Sequence, residues 1–148
     1  MTPAGGAFEG REHILPVRVY YEDTDFTGVV YHANYLRYFE RGRSDFLRLA
    51  GVSHTELFAL DDPLAFVVTR MEIDFRSPAR IDDALMVVTT YDQARGPRLS
   101  IGQRILRGGT LIAAAQVTTA CVGPGGRPRK PPKGLVERLT PWFSPSMP

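Results

Sequence analysis

The sequence contains a single cysteine, Cys121, in 148 residues, which excludes a disulfide within the chain. Because free thiols are typical of reducing compartments, we expect a cytoplasmic protein. Free cysteines are often buried, so we expect Cys121 to be a small core residue. Long apolar runs are also missing, and none approaches the ~20 residues of a membrane-spanning helix. Residues 1–13 lack the basic and apolar segments of a secretory signal, and we expect them to form a flexible, glycine-rich leader.

The sequence has little net charge. Its 18 Lys and Arg residues nearly balance its 16 Asp and Glu residues, which leaves a net charge of +2. A dedicated nucleic-acid-binding domain usually carries a strong basic face, so this balance argues against that class. One local exception lies between Arg127 and Lys133, where four of seven residues are basic. That proline-rich segment is either a solvated loop or a patch that binds phosphate groups.

Most common catalytic motifs are absent. There is no G-x-S-x-G segment for a serine hydrolase and no glycine-rich phosphate loop. The three histidines, His13, His32 and His54, lack a metal-ligand spacing such as H-x-x-x-H. We therefore expect no metal ion and no cofactor, and any chemistry must come from ordinary side chains and backbone groups.

A long amphipathic helix is the clearest structural signal in the sequence. Apolar or small residues recur at steps of three and four, the pattern of a buried helix face, at Tyr35, Phe39, Gly42, Phe46 and Leu49. Charged residues occupy other positions, and we expect Arg43 to face away from the core or to pair with Glu40. Gly51 follows the last apolar position as a C-terminal cap. Because Gly42 lies on the buried face, another element should pack closely against the backbone there.

The rest of the chain favours β-strands joined by short turns. Five segments have the alternation or the apolar character of strands: 17–21, 65–76, 84–91, 99–105 and 110–122. Turn signals at 95–97 and 108–109 imply that neighbouring strands are antiparallel. Short helices are expected at 53–60, where Ser53 begins a capping pattern, and after Pro132.

One helix is too small to cover both faces of such a sheet. The sequence predicts an α+β domain at residues 14–140, with a five-stranded antiparallel sheet and one long helix, followed by a tail at 141–148. An edge of the sheet, or its far face, would stay unburied in a monomer. We therefore expect a homo-oligomer, either a dimer or a tetramer, in which these surfaces meet another subunit.

Acidic residues cluster just before the long helix. Glu22, Asp23 and Asp25 lie in the segment Tyr21–Asn34, which also contains Gly28. On one interpretation they form a polar loop that favours the positive end of the helix dipole. On the other, a carboxylate activates water or attacks a carbonyl, while unpaired N–H groups at the helix N-terminus hold the oxyanion. The second arrangement suffices for thioester hydrolysis.

A specific motif spans the acidic cluster and the start of the helix, where residues 23–35 read D-x-D-x-x-G-V-V-Y-H-A-N-Y. Weaker motifs follow, DFRSPARIDDAL at 74–85, ARGPRLSIGQRI at 94–105 and GGRPRKPPKGLVERL at 125–139. Together they resemble the YbgC-like branch of the 4-hydroxybenzoyl-CoA thioesterase superfamily. The resemblance implies the hot-dog fold, in which a sheet wraps one long helix, and hydrolysis of an acyl-CoA without a cofactor.

The resemblance also implies candidate site residues. Asp25 would be the catalytic carboxylate, and His32 would polarise the thioester carbonyl through its backbone N–H. Contacts with the substrate are implied for Gly28, Val29, Val30, Tyr31 and Asn34. The residue types also fit other roles, since Tyr31 and Tyr35 can pack in the core and Asn34 can cap the helix. Glu22 and Asp23 are expected to orient the loop.

Two basic segments are candidates for binding the nucleotide part of coenzyme A. Arg95 and Arg98 flank a turn, while Arg127 and Arg129 follow the last strand. Arginine guanidinium groups match phosphate oxygens, and the resemblance implies that basic residues in these segments hold the nucleotide. The alternative is that these exposed arginines serve only solubility.

Three other functions are compatible with the same fold. An acyl-carrier-protein thioesterase would use the same chemistry on a substrate that is attached to a protein. A dehydratase would need a histidine and an acid on opposite sides of the pocket. His32 by itself does not supply this pair, which argues against a dehydratase. A non-catalytic acyl-binding or scaffold subunit would not need Asp25, so the presence of this acid argues against that class.

Overall fold

The computed structural model, which describes residues 1–144, has a long helix packed against one antiparallel sheet. Its strands are β1 (Ala7–Glu9), β2 (Glu12–Arg18), β3 (Ala65–Phe75), β4 (Ala84–Arg95), β5 (Arg98–Arg107) and β6 (Thr110–Val122). Its helices are α1 (His32–Leu49), α2 (His54–Phe58) and α3 (Lys133–Leu139), with 3₁₀ turns at Tyr21–Asp23 and Thr140–Trp142. None of the described helices is both long and apolar enough to cross a bilayer.

In the described part of the chain the sheet has six strands rather than the predicted five. All of them pair antiparallel, in the order β1-β2-β4-β5-β6-β3. The predicted strand at 110–122 is confirmed, and the one at 65–76 ends one residue earlier. The first strand begins at Glu12, earlier than the expected residue 17. The predicted turns are present, and Gly96 and Gly108 adopt the positive φ angles of 55° and 57° that glycine allows.

Residues 1–13 contain regular structure, so the expectation of a flexible leader over this whole segment is corrected. Strand β1 folds back on β2, with Ala7 opposite Ile14, and the side chain of His13 is fully buried. A strand of three residues is too short to show an alternation of apolar and polar positions, which is why the sequence did not indicate it.

An aromatic cluster joins the two ends of the chain. The ring of Phe8 packs edge-on against Phe46 of α1 at 4.9 Å and stacks on Trp142 at 4.7 Å. Phe143 also packs against the core. Trp142 and Phe143 belong to the predicted tail at 141–148. The last part of that tail, residues 145–148, lies outside the described residues.

The ends of the helices follow their sequence signals. Gly51, after α1, adopts a φ of 94°, as a glycine cap does. The Ser53 hydroxyl accepts the Glu56 N–H at 3.1 Å, so the capping pattern that predicts α2 is confirmed. Helix α3 follows Pro132 as expected.

Helix α1 buries the predicted apolar face except for its last position. Tyr35, Phe39, Gly42 and Phe46 are buried, whereas Leu49 is half exposed. A Cβ atom at Gly42 would lie 2.8 Å from Thr89 Oγ1 and 2.9 Å from the Val87 side chain. The expected close approach of another element at Gly42 is therefore confirmed, and that element is β4.

The side chain of Arg43 is buried, contrary to the expectation that it faces away from the core. It donates hydrogen bonds to Gln103 Oε1 at 3.0 Å and to the Glu40 carboxylate at 2.6 Å. The Gln103 amide in turn donates to Thr89 Oγ1 at 2.9 Å. The predicted Glu40–Arg43 pair is thus present, and it belongs to a polar network that joins α1 to β4 and β5.

Strand β3 forms one edge of the sheet, since β6 is its only partner among residues 1–144. Val67, Val68 and Phe75 on this strand are about half exposed. An unpaired edge with exposed apolar side chains is a surface on which another strand can add.

Candidate active site

The acidic segment between β2 and α1 is held against the loop that joins β3 to β4. The Val30 N–H donates to the Ala79 carbonyl at 2.8 Å, and Val29 forms an isolated β-bridge with Arg80. The Ala79 N–H donates to the Tyr35 hydroxyl oxygen at 3.0 Å. These contacts fix the predicted site segment relative to the sheet and to α1.

The β3–β4 loop is itself anchored by β5. The Arg107 guanidinium donates to the Pro78 carbonyl at 3.0 Å and to the Asp83 carboxylate at 2.9 Å. The same carboxylate accepts the Arg80 N–H at 2.8 Å. This N–H, followed by the Arg107 guanidinium, lowers the pKa of Asp83, so the anchoring carboxylate is ionised at neutral pH.

Asp25 has one carboxylate oxygen engaged and one open. Its Oδ1 accepts the Thr27 hydroxyl at 2.5 Å and the Thr27 N–H at 2.8 Å. The hydroxyl, followed by the N–H, lowers the pKa of Asp25, and the carboxylate is ionised at neutral pH. The backbone is fixed as well, because the Asp25 N–H donates to the Val29 carbonyl and the Gly28 N–H donates to the Asp25 carbonyl. The backbone N–H of Val29 also lowers the pKa of this carboxylate, but within residues 1–144 both side-chain hydrogen bonds end at Oδ1, which leaves Oδ2 able to meet a ligand.

A cavity of about 400 Å³ opens beside Asp25. The side chains of Tyr21, Phe26 and Ile81 contribute to its wall, together with Gly28. Tyr21 and Ile81 are absent from the residues that the sequence predicted for the site. The motif that carries the resemblance begins after Tyr21, and Ile81 comes from the β3–β4 loop, which the sequence did not place near Asp25.

The N-terminus of α1 borders a second cavity, of about 280 Å³. A helix leaves its first N–H groups without acceptors inside the helix. Here the Asn34 N–H bonds to the Tyr31 carbonyl at 2.8 Å, which leaves the N–H groups of His32 and Ala33 without an acceptor within α1. The cavity beside them is lined by Val30, His32, Tyr35, Phe75, Arg76, Ser77 and Pro78.

The two predicted catalytic residues line different cavities. Asp25 belongs to the first and His32 to the second. The imidazole of His32 packs on the half-exposed ring of Tyr31, with 4.5 Å between the ring centres. A ligand that contacts both Asp25 and His32 must therefore extend across the surface between the cavities.

Asn34 is buried, and its side chain has protein partners. Its side-chain amide donates to Asp23 Oδ1 at 2.8 Å, and Asp23 Oδ2 accepts the Tyr20 N–H at 2.8 Å. The Asp23 carbonyl also accepts the Tyr31 N–H at 2.9 Å. The prediction that Asp23 orients the loop is confirmed. Asn34 serves the same purpose through this bond, and its contact with substrate stays a prediction.

The two predicted basic segments meet at the end of β6. The Cys121 N–H donates to the carbonyl of Pro97 in the β4–β5 turn at 2.7 Å, and the Cys121 carbonyl accepts the Arg129 N–H at 2.8 Å. Arg95 and Arg98 lie opposite each other across that turn. Both are exposed, as is Arg127 of the second segment. Cys121 itself is buried, as expected.

Among the four predicted arginines, Arg129 is the one whose side chain has partners within residues 1–144. It forms an ion pair with the Asp62 carboxylate at 2.7 Å. It also donates to the Asp62 carbonyl at 3.1 Å and to the Pro63 carbonyl at 3.4 Å. These contacts tie the segment after β6 to the loop before β3, a structural role that the sequence did not indicate.

Within residues 1–144, the site thus combines an ionised carboxylate that has an accessible oxygen with a helix N-terminus whose first N–H groups have no acceptor in the helix, and acyl transfer needs such parts. Among residues 1–144, no three His, Cys, Asp or Glu side chains are grouped so that they could hold a metal ion.

Comparison with known proteins identifies close relatives of the chain. The family model of the thioesterase-like superfamily matches residues 19–139. The acyl-CoA thioester hydrolase YbgC of Escherichia coli is 45% identical over 123 residues, which cover 82% of this chain and 90% of that protein. The acyl-CoA thioesterase YbgC of Haemophilus influenzae is 44% identical over 111 residues, which cover 75% of this chain and 81% of that protein.

The fold also matches a solved structure. The crystal structure of a probable thioesterase from Bartonella henselae superposes with a TM-score of 0.80 at 45% identity. The match covers 82% of this chain and 99% of that one. The hot-dog arrangement of sheet and helix that the sequence predicts is thereby confirmed, with β1 as an additional strand.

Proposed function

The chain belongs to the thioesterase-like superfamily, and we propose that it is a thioester hydrolase that converts an acyl-CoA to a free acid and coenzyme A. The Escherichia coli and Haemophilus influenzae relatives, which bear the names of such enzymes, match most of the chain and support this activity. The observation that carries the proposal is the Asp25 carboxylate, which is ionised, held through one oxygen and open at the other.

The proposed reaction begins at Oδ2 of Asp25. In one route, this oxygen takes a proton from water, and the water oxygen adds to the thioester carbonyl carbon. In the other, the carboxylate itself adds to that carbon, and the mixed anhydride that forms is hydrolysed by water. In both routes the carbon–sulfur bond breaks, and the sulfur leaves as a thiolate that then takes up a proton.

The negative charge on the carbonyl oxygen would be held by the backbone N–H of His32. This group has no acceptor within α1, and it lies at the positive end of the helix dipole. The chain from Gly28 to Tyr31 would shape the path of the substrate between the cavities, since Gly28 lines the first and Val30 the second. Val29 supports this path through its bridge with Arg80.

We propose that the complete site forms between two copies of the chain. Asp25 and His32 line different cavities, and both cavities are open at the surface of one copy of the chain, where a second copy can cover them. Phe75, at the end of the edge strand β3, lines the His32 cavity and is half exposed. A second copy paired along β3 would cover Val67 and Phe75 and would extend the wall beside His32.

The nucleotide part of coenzyme A would contact Arg95, Arg98 and Arg127. The segments that carry them are joined at Cys121, and within residues 1–144 none of the three side chains has an ion-pair partner. Exposed guanidinium groups without partners are available for phosphate oxygens. Arg129 would support this surface from behind through its contacts with Asp62.

A thiol-release assay over a panel of acyl-CoAs, from short aliphatic chains to benzoyl and palmitoyl, tests the proposal. We expect release of coenzyme A from at least one substrate and loss of that release in Asp25→Asn. No release from any acyl-CoA would contradict the proposal. Release from an acyl-carrier protein alone would identify that protein as the donor, and binding of acyl-CoA without release would identify an acyl-binding subunit.

A further inference from the structure

Tyr35 is a buried residue whose hydroxyl proton has no acceptor in the described part of the chain. The residue is 5% exposed, and its oxygen accepts the Ala79 N–H at 3.0 Å. That bond uses the oxygen and leaves the hydroxyl proton free. Because an unpaired buried donor is costly, such a group usually has a partner in the functional state. The open space next to Tyr35 is the cavity that it shares with His32.

Helix geometry directs the Tyr35 side chain toward the start of α1. His32 and Tyr35 are three residues apart and therefore lie on the same face of the helix. A helical side chain leans over the turn that precedes its own Cα atom, which here is the first turn of α1. The rings of Phe75, at 5.7 Å, and Tyr38, at 6.3 Å, pack against the Tyr35 ring. These contacts and the Ala79 N–H hold the hydroxyl in place before any ligand binds.

We infer that the Tyr35 hydroxyl donates a hydrogen bond to the thioester carbonyl oxygen, as a second donor beside the backbone N–H of His32. This inference rests on the proposed function. A carbonyl oxygen at the N-terminus of α1 would face the cavity that Tyr35 lines. The charge on that oxygen grows as the carbonyl carbon is attacked, so the bond is stronger in the transition state than in the ground state. Burial raises the pKa of Tyr35, which keeps the hydroxyl protonated at neutral pH.

Tyr35→Phe removes the hydroxyl and keeps the ring. We expect kcat for the best acyl-CoA to fall by about 10²-fold, as when one oxyanion donor is lost. KM should change little, because the ring still fills its place. Tyr91→Phe is the matched control. Tyr91 is also a buried tyrosine, but it lies in the core beside Phe46 and lines neither cavity, so its kcat should stay close to the wild-type value.

A second variant separates donation to the substrate from support of the loop, since Tyr35→Phe also leaves the Ala79 N–H unpaired. Site-specific replacement of Tyr35 by 3-fluorotyrosine makes the hydroxyl a stronger donor and a weaker acceptor. If Tyr35 donates to the substrate, kcat at about pH 6.5 should equal or exceed the wild-type value, and the alkaline loss of activity should begin at a lower pH. If Tyr35 only holds Ala79, kcat and Tm should both fall.

Several outcomes overturn the inference. One is a kcat of Tyr35→Phe within about twofold of the wild-type value, and another is a Tyr35→Phe variant in which only KM changes. The third is a fall of both kcat and Tm in the 3-fluorotyrosine variant. Measurement of the wild type and Asp25→Asn in the same assay separates the two proposals. An inactive wild type overturns both. An active wild type, an inactive Asp25→Asn and an unaffected Tyr35→Phe overturn the role of Tyr35 alone.

Discussion

The buried carboxylate of Asp23 accepts a 2.8 Å hydrogen bond from the side-chain amide of Asn34, which joins the 3₁₀ turn before the site to the first turn of α1. Asp25 lies two residues further on, and within residues 1–144 one of its carboxylate oxygens has no partner. The two acids of one motif therefore have different surroundings, since both oxygens of Asp23 have protein partners and Asp25 has an accessible oxygen.

Asp25→Asn should reduce turnover of the best acyl-CoA by at least ~10²-fold, the effect of losing a general base. The amide has the size and shape of the carboxylate but neither accepts a proton nor attacks a carbonyl. Folding and ligand binding should be retained, as measured by circular dichroism and by binding of coenzyme A. A rapid burst of released thiol in the wild type, before the steady state, would favour the anhydride route over water activation.

Asp23→Asn is the matched control for this variant, because it makes the same chemical change two residues away. It weakens the bonds to Tyr20 and Asn34 in a buried setting, so it should lower the free energy of unfolding by about 1–3 kcal/mol. Its turnover should fall much less than that of Asp25→Asn. Equal losses of turnover in the two variants would contradict the different roles of the two acids.

Arg95→Ala and Arg127→Ala should raise KM for acyl-CoA and leave kcat nearly unchanged. Contacts with the nucleotide are equally good in the ground state and the transition state, so their loss affects binding alone. An acyl-pantetheine substrate lacks the nucleotide, and the same variants should hydrolyse it as the wild type does. Steady-state kinetics with both substrates measure the difference.

Two arginine variants serve as controls for these measurements. Arg104→Ala removes an exposed guanidinium that pairs with Glu12 on the sheet, and it should leave both substrates unaffected. Arg129→Ala removes the contacts with Asp62 and Pro63, so it should lower Tm and impair both substrates alike. If Arg95→Ala leaves KM for acyl-CoA as unchanged as Arg104→Ala does, the nucleotide stays in solvent. That result would favour an acyl-carrier protein as the natural donor of the acyl group.

The sequence predicted the elements whose patterns are long and regular. Helix α1 and strand β6 are long enough to show their periods clearly. Strand β1 has three residues, and its position depends on the packing of Phe8 against Phe46 and Trp142, which lie far away in the chain. A pattern within one segment carries no information about such contacts, so the leader was predicted wrongly.

The candidate site was predictable where it is continuous in sequence. The motif from Asp23 to Tyr35 places Asp25 and His32 near the start of α1. The β3–β4 loop contributes Ile81 and Ala79 through hydrogen bonds and packing that no local signal indicates. The hydrogen bonds of Asn34 with Asp23 and of Arg43 with Gln103 were not predicted for the same reason, because no local pattern shows which distant group a buried polar side chain will meet.

The protein should be a dimer or a tetramer in solution, with no stable monomer at micromolar concentration. The unpaired edge of β3 and its exposed apolar side chains favour pairing with a second copy. Val67→Lys places a charge on this edge and should shift the oligomer toward monomer and reduce activity. Leu60→Lys is the control, since Leu60 is 42% exposed and Val67 43%, but Leu60 lies outside the strand. Light scattering measures the oligomeric state, and the thiol-release assay measures activity. A wild-type protein that is monomeric and active would contradict the interfacial site.

The free energy of unfolding should fall as the pH drops below about 6.5, the ordinary pKa of histidine. Burial lowers the pKa of His13, whose Nε2–H donates to the Gly5 carbonyl at 2.7 Å and whose Nδ1 has no partner within residues 1–144. The unfolded chain then binds the proton more readily than the folded one. Stability is therefore complete above the unfolded pKa and is lost as the pH falls toward the folded pKa.

His13→Gln should flatten this dependence, because glutamine can still donate to the Gly5 carbonyl but does not titrate. Urea unfolding at a series of pH values between about 5 and 7.5 measures the slope for each protein. The absolute stability of the variant should also be lower, since the ring contact with Phe8 is lost. The same slope in the variant and the wild type would show that His13 is not the group responsible.

Gly42→Ala should destabilise the protein by about 1–3 kcal/mol, although alanine is the better helix former. The added Cβ would lie 2.8 Å from Thr89 Oγ1 and 2.9 Å from the Val87 side chain, so α1 must move away from β4. Gly134→Ala in α3 is the matched control, because within residues 1–144 no atom outside its chain neighbours and its own helix backbone lies within 4 Å of its added Cβ. There the helix propensity acts alone, and stability should rise by up to about 1 kcal/mol. Chemical denaturation of both variants measures the contrast, and a Gly42→Ala protein as stable as the wild type would show that α1 and β4 can separate at little cost.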